Sequence, residues 1–418
     1  MATAPEITSI PNPERRAVIT GIGVIAPNGI GTEKWWEATR AGQSGIGRIT
    51  RFDPSQYPAQ LAGEVEGFDA ADYIEQRMIV QTDHWTHMAL AATQMALEDA
   101  QFDPEGKDPY RMSVITASGS GGNEFGQKEI ENLWGKGPIF VGAYQSIAWF
   151  YAATTGQIAI KYGMKGPCGV VCQEGAGGLE ALWHSRRNIL RNVDFVISGG
   201  TEAPIGPYAL TCQLTTGRLS LESDPEDAYR PFDSRANGYV PGEGGAIIIV
   251  ESADHAEARG APQVYAEVLG YGATNDADHP KRSTADGTQL GRAITLALER
   301  AGIGADEVDA VIADAAGVPE ADAAEAQAIR DVLGNEVPVT APKTMVGRLY
   351  GGGAPLDVAA AVLAMRDGVL PPTTNLDSPA EGLDLDFVTE PREAQLRTVL
   401  VNARGFGGFN SALVLRRP

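Results

Sequence analysis

Side chains suited to nucleophilic or metal chemistry are scarce in this sequence. Its three cysteines are Cys168, Cys172 and Cys212, and its five histidines are His84, His87, His184, His255 and His279. The cysteines lack metal-ligand spacing and do not suggest a secreted disulfide framework. Cys172 lies on the apolar approach to the turn Gln173-Glu174-Gly175-Ala176-Gly177-Gly178. Two further turns carry charge: Val311-Ile-Ala-Asp-Ala-Ala-Gly317, with Asp314, and Lys343-Thr-Met-Val-Gly-Arg348, with Arg348. Paired with each other, those two opposite charges would cancel rather than activate.

The elements that must position these residues read as alternating strands and helices. Apolar runs at 17–20, 113–116, 195–198, 246–250, 310–313, 398–401 and 412–415 are strand-like, and helical patterns lie at 86–100, 178–191, 290–301, 321–333 and 356–366. Such alternation predicts an α/β protein. Each half ends on a strand, a turn and a strand, which suggests a duplicated α/β unit. The expected organisation is a lead-in at 1–16, a first half at 17–257 and a second at 258–418, the boundary falling where the strand pattern lapses near 252–262.

Composition narrows the function classes. The chain has 418 residues, 43% of them apolar and 21% charged, enough for a large core. Acidic residues outnumber basic ones by 54 to 33, a formal net charge of −21. A field of that sign repels phosphate backbones and anionic lipid, so nucleic acid and membrane surfaces are poor partners. The N-terminus, with Pro5, Pro11 and Pro13, lacks the apolar core of a signal peptide. The longest uncharged stretch, 137–160, holds Gln145, Ser146, Thr154, Thr155 and Gln157. It is too polar for an isolated membrane span and reads as a helix buried in the protein or against another subunit. A cytoplasmic protein is expected.

Three motifs in fixed order carry more specific information. Pro231-Phe-Asp-Ser-Arg-Ala-Asn-Gly-Tyr-Val-Pro-Gly-Glu-Gly-Gly245, Lys343-Thr-Met-Val-Gly347 and Gly405-Phe-Gly-Gly-Phe-Asn410 together resemble the β-ketoacyl synthases. Any one alone would pass for an ordinary tight turn. The resemblance runs from Ala17-Val-Ile-Thr-Gly-Ile-Gly23 to Leu415, and implies a thiolase-like fold of two similar α/β halves in five αβαβα layers. A condensing member of that family needs a cysteine at a strand-to-helix elbow to attack the acyl thioester, and two histidines to assist decarboxylation and stabilise the enolate.

None of the three is present. Matching Gly178-Leu179-Glu180 to the family's Gly-Leu-Asp puts Gly175 at the nucleophile, and the histidine positions hold Asp314 and Arg348. Cys172 precedes the elbow by three residues, so on a continuing strand its side chain faces away from Gly175. A buried structural cysteine is the expectation, a displaced nucleophile the alternative. The triple loss resembles the chain-length-factor branch of the family, as do Tyr144-Gln-Ser-Ile-Ala-Trp-Phe-Tyr151, Ala315-Ala-Gly-Val-Pro-Glu320 and Gly347-Arg-Leu-Tyr-Gly-Gly352. Members of that branch commonly carry glutamine at the elbow. Here Gly175 stands there, and Gln173 is two positions off, so no role of that amide carries over.

The resemblance implies a subunit that pairs with a catalytic ketosynthase alpha subunit, with an acyl carrier protein delivering substrate and a growing poly-β-ketone chain in a shared tunnel. It implies no metal or diffusible cofactor. Matching the Gly121-Gly122 turn puts the tunnel-lining positions at Asn123, Gly126 and Ile130, spaced to share one helix face. Ile130 with Leu133 and Trp134 also reads as a core stripe. Gly126 is expected to leave a gap that favours a longer product. Tyr144, Trp149, Phe150 and Tyr151 (with Phe140) read as a partner interface or as buried core. Glu325 and Lys343 are expected to form a retained buried pair, or else to be solvated charges. The competing function is an independent acyl-transfer or decarboxylating enzyme on the same fold, using atypical residues.

Overall fold

The computed structural model describes residues 11–281 and 284–418, so most of the N-terminal lead-in lies outside the described residues. The first half supplies strands β1 (Ala17–Ala26), β2 (Met112–Ala117), β3 (Gly169–Val171), β4 (Phe195–Glu202) and β5 (Gly244–Ser252). The second supplies β6 (Ala266–Asn275), β7 (Ala310–Ile312), β8 (Pro338–Thr340), β9 (Asp386–Phe387), β10 (Thr398–Gly405) and β11 (Phe409–Arg416). Their spatial order is β9-β8-β7-β10-β11-β6-β1-β5-β4-β2-β3. Read inward from β3 at one edge and from β8, beside the edge strand β9, at the other, β3-β2-β4-β5-β1 and β8-β7-β10-β11-β6 have the same chain order, so the fold is duplicated. The halves meet where β1 bridges β6 antiparallel, at Val18–Glu267 and Ile19–Ala266.

The helices are α1 (His84–Asp99), α2 (Asn123–Lys136), α3 (Gly177–Ile189), α4 (Thr288–Ala301), α5 (Pro319–Leu333) and α6 (Gly353–Asp367). Helices α3 and α6 touch strands of both halves and form the middle of five layers, with α1 outside the first half and α4 and α5 outside the second. This is the expected thiolase-like architecture. Helix α6 is buried on nearly every side, from Ala354 to Met365, which is why its sequence is apolar all round.

The repeat is written in small residues as well. A β-carbon on Gly23 of β1 would lie 1.9 Å from the Ala92 carbonyl of α1, and one on Gly272 of β6 would lie 1.9 Å from the Ala293 carbonyl of α4. In both halves a Gly-x-Gly strand lets an alanine-faced helix lie directly on the sheet. The same glycines hide β6 from a search for apolar runs, so the sequence reading passes over it.

The uncharged stretch 137–160 is not one helix. It is broken into a 3₁₀ turn (Pro138–Phe140), a one-turn helix (Gln145–Ala148) and part of a third segment (Ala153–Lys161). Gly137, Pro138 and Gly142 interrupt the helical pattern, and much of the segment is exposed. Among the described residues no helix is long and apolar enough to cross a membrane.

Candidate functional site

Both central helices start from a strained elbow. Glu174 (φ 49°) precedes Gly175 ahead of α3, and Tyr350 (φ 46°) precedes Gly351 ahead of α6. Positive φ at a non-glycine residue is costly and persists only where the surroundings enforce it. Here close packing enforces it: a β-carbon on Gly178 of α3 would lie 2.3 Å from Pro355 Cδ of α6. A β-carbon on Gly175 would lie 2.4 Å from the Arg404 carbonyl and 3.4 Å from Arg348 Nη2. The elbow therefore offers no nucleophile and no room for one as built.

Asp314 follows β7, and Arg348 follows the turn at Gly347. Their side chains meet in a fork, Nη1 to Oδ2 and Nη2 to Oδ1, both at 3.2 Å. Arg348 also donates to the carbonyls of Asp314 (3.1 Å) and Arg404 (3.3 Å). The backbone N–H of Arg404 donates to Asp314 Oδ1 at 2.9 Å. Burial alone would push the Asp314 carboxyl up, but Arg348, Lys343 and these hydrogen bonds together hold it below its ordinary range. Arg348 is held well above its ordinary value, because the attraction of Asp314 and other anions outweighs the burial that opposes it. Neither group is poised to exchange a proton near neutral pH. The space left around them is a cavity of about 30 Å³ lined by Glu174, Arg218, Asp314, Arg348 and Arg404 among others, and a second of about 20 Å³ beside Gly175. Each has room for about one water.

The expected Glu325–Lys343 pair does not form. Lys343 Nζ pairs instead with Asp357 Oδ2 of α6 at 2.6 Å. Glu325 accepts the backbone N–H groups of Asp314 and Ala315, each at 2.8 Å, and the Asn402 amide at 3.4 Å. Both side chains are buried, so the solvated alternative fails as well. The lysine is matched by the nearer anion that α6 carries, leaving Glu325 to fix the loop bearing Asp314. Cys172 is exposed rather than buried, and desolvation of the sulfur, then the Glu202 carboxylate, pushes its thiol up, away from thiolate character.

Around α2 the picture is different. Ile130 is 48% exposed, Leu133 37% and Trp134 83%, which excludes a core stripe. Phe140, Tyr144, Trp149, Phe150 and Tyr151 are likewise exposed, with Ile139 at 88%, and so are not the chain's own core. Asn123 borders an open groove of about 780 Å³, whose other walls include Arg51, His84, His87 and Lys128. Gly126 does not leave the expected gap: a β-carbon there would lie 2.9 Å from Trp149 Cδ1, so the indole already occupies that space. The sequence reading also missed a cluster in which Arg51 donates to Glu243 Oε1 at 2.5 Å and approaches His84 Nε2 at 2.7 Å. Only Glu243 carried a signal, its place in the long glycine motif. No group of three metal-ligating side chains is assembled among the described residues.

Comparison with known proteins agrees with this geometry. Residues 14–256 match the model of the β-ketoacyl synthase N-terminal domain, and residues 265–377 that of its C-terminal domain. The tetracenomycin polyketide synthase ketoacyl synthase beta subunit of Streptomyces glaucescens is 53% identical over 403 residues, 96% of this chain and 98% of the relative. The solved ishigamide ketosynthase/chain length factor superposes with a TM-score of 0.89 at 30% identity, covering 97% of this chain and 99% of that one. A type II PKS acyl-carrier protein in complex with its ketosynthase bound to the hexaketide gives a TM-score of 0.88 at 28% identity, covering 98% and 100%. With its duplicated strand order, its paired elbows and matches across both halves, this chain belongs to the β-ketoacyl synthase family.

Proposed function

We propose that this chain is the chain-length-factor subunit of a type II polyketide ketosynthase, paired with a catalytic ketosynthase alpha subunit and forming one wall of the tunnel that holds the growing poly-β-ketone. One observation carries the reading. All three positions that condensation requires have lost their function, and the fold around them is intact. Gly175 has no side chain, and Asp314 and Arg348 are spent on each other. The beta subunit and chain-length-factor proteins it resembles support the same reading. Delivery of substrate by an acyl carrier protein is in keeping with the carrier-protein complex among its structural neighbours.

The lining face remains that of Asn123, Gly126 and Ile130 on α2, with the Trp149 indole covering Gly126. The apolar face with Tyr144, Trp149, Phe150 and Tyr151 meets the partner, because aromatic side chains left half-exposed in one chain supply the anchors of an interface. A cytoplasmic location suits such an assembly. An independent enzyme on this fold lacks room at the centre, where the space that Glu174 lines holds about one water.

The test is reconstitution. The chain is expressed with its cognate ketosynthase and carrier protein, and the released products are weighed with and without it. Poly-β-ketone of defined length should require this subunit, and the isolated chain should take no acyl group from the carrier by intact mass. Acylation of the isolated chain would overturn the proposal.

A further inference from the structure

The face of α2 assigned to the tunnel has an anomaly at its middle. Gly126 is buried, whereas Asn123 is part-exposed and Ile130 half-exposed. What covers Gly126 is the five-membered ring of Trp149: from an added β-carbon, Cδ1 would lie at 2.9 Å, Nε1 at 3.6 Å and Cγ at 3.9 Å. The loop carrying this tryptophan is tied to the helix on both sides. Gly122 N–H donates to the Trp149 carbonyl at 3.2 Å, and Gly142 N–H donates to the Glu129 carboxylate. A β-carbon on Gly122 would lie 2.1 Å from the Ala148 carbonyl, so the turn needs glycine for the loop to sit so close. The Trp149 main chain is therefore fixed. Its ring is held on one side by Gly126, with Tyr151 tilted beside it at 6.5 Å, and 49% of the residue stays open.

We propose that Trp149, a loop residue, is the length-determining stop of this subunit, and that residue 126 is glycine in order to seat its indole. The inference rests on the reading of α2 as tunnel wall. A chain end advancing along α2 from Asn123 toward Ile130 meets the indole before it meets any side chain at 126. The ring is a bulky obstacle, and its Nε1–H is a donor only. A poly-β-ketone presents a carbonyl acceptor at every second carbon, so the indole can both block and hydrogen-bond the end of such a chain, which it cannot do for a saturated acyl chain.

The experiment uses the intact heterodimer with its carrier protein and reads product mass. Trp149→Ala should lengthen the product by at least one two-carbon unit, and Gly126→Phe should shorten it by displacing the indole into the path. The double variant Gly126→Phe/Trp149→Ala should return to near wild-type length, since the added ring takes the space the indole has left and no indole remains to be displaced into the path. Should Trp149→Ala prevent assembly, Trp149→Phe tests the same point with a smaller ring and should give a mixture shifted to longer chains. Unchanged length with an active Trp149→Ala or Trp149→Phe complex overturns the assignment, as does a double variant whose product stays as short as that of Gly126→Phe alone. Ile130→Phe separates this failure from a deeper one. If it shortens the product while Trp149 variants do nothing, only the stop is misassigned; if neither changes length, α2 is not tunnel wall.

Discussion

The centre of this protein and the face carrying α2 treat their difficult residues in opposite ways. At the centre the buried charges near Gly175 are paired or hydrogen-bonded. Asp314 forks onto Arg348, Lys343 holds Asp357, and Glu325 caps two backbone N–H groups. On the α2 face Trp134, Ile139, Phe140, Trp149 and Phe150 are left in the open. The region where the resemblance places the family's reactive groups is closed structure, while the α2 face leaves apolar surface exposed. Buried ion pairs are seldom a net gain over a well-packed apolar core, but removing one partner leaves the other charge stranded. The exposed aromatics have no such internal account and make sense only with something packed on them.

The sharpest way to break the comparison is to unpair the centre. Arg348→Met strands the Asp314 carboxylate among buried groups and should cost about 3–5 kcal/mol. Asp314→Asn/Arg348→Met should recover much of that loss, since it removes both charges. Urea unfolding of the isolated chain provides the numbers. Near-additive losses would mean the two residues are not one unit.

The face should respond in the other observable. Phe150→Ala should leave the isolated chain's unfolding midpoint almost unchanged, because the residue is 53% exposed, yet weaken the heterodimer by about 2 kcal/mol, roughly 30-fold in Kd. Sedimentation or native mass spectrometry of titrated subunits measures this. A drop in monomer stability with normal assembly would return this residue to the chain's own core.

Between these lies the elbow. Gly175→Cys restores the family's nucleophile in name, but its β-carbon would press on the Arg404 carbonyl at 2.4 Å. The expected outcome is a loss of about 1–3 kcal/mol from overpacking and no condensation, because Asp314 and Arg348 still stand at the histidine positions. Acyl-enzyme formation by this single variant would show that the centre is less closed than its packing indicates.

What the sequence made legible follows from what each signal encodes. Gly175, Asp314 and Arg348 could be singled out because they sit inside ordered motifs, and the structure brings the three together. The duplicated fold was visible in the two strand-turn-strand endings. Contacts between distant segments were not visible. Helical spacing tells that Asn123, Gly126 and Ile130 share a face, but not that Trp149 folds back over the glycine. Lys343 names no partner in its own motif, and Asp357 reaches it only because α6 runs through the centre. Strand β6 was concealed because Gly270 and Gly272 stand where an apolar pattern would be, each facing the backbone of α4. In each case the deciding term is a tertiary approach of two backbones or two charges, which local periodicity does not carry.

The mildest test separates the two kinds of buried acid at the centre. Asp314 is held low by its partners, so its contribution is present above the ordinary carboxylate range and disappears only in acid. Asp322 is its opposite. It accepts the N–H groups of Phe232 and Gly317, both at 3.0 Å, and burial, outweighing these bonds, pushes it up to about 8. The folded chain therefore keeps a proton on Asp322 that the unfolded chain releases near its ordinary 3.8. That contribution is complete below the ordinary value and declines as the pH rises toward the folded one, by at most about 1.4 kcal/mol per pH unit. Asp322→Asn mimics the protonated form and should flatten the wild-type slope between pH 5 and 8, although Glu202 and Glu243, both pushed up to about 7 by burial, will preserve part of it. Unfolding free energies at several pH values give the difference between the two curves. If they run parallel, Asp322 is ionised in the folded protein, and the centre contains an anion for which its packing supplies no cation.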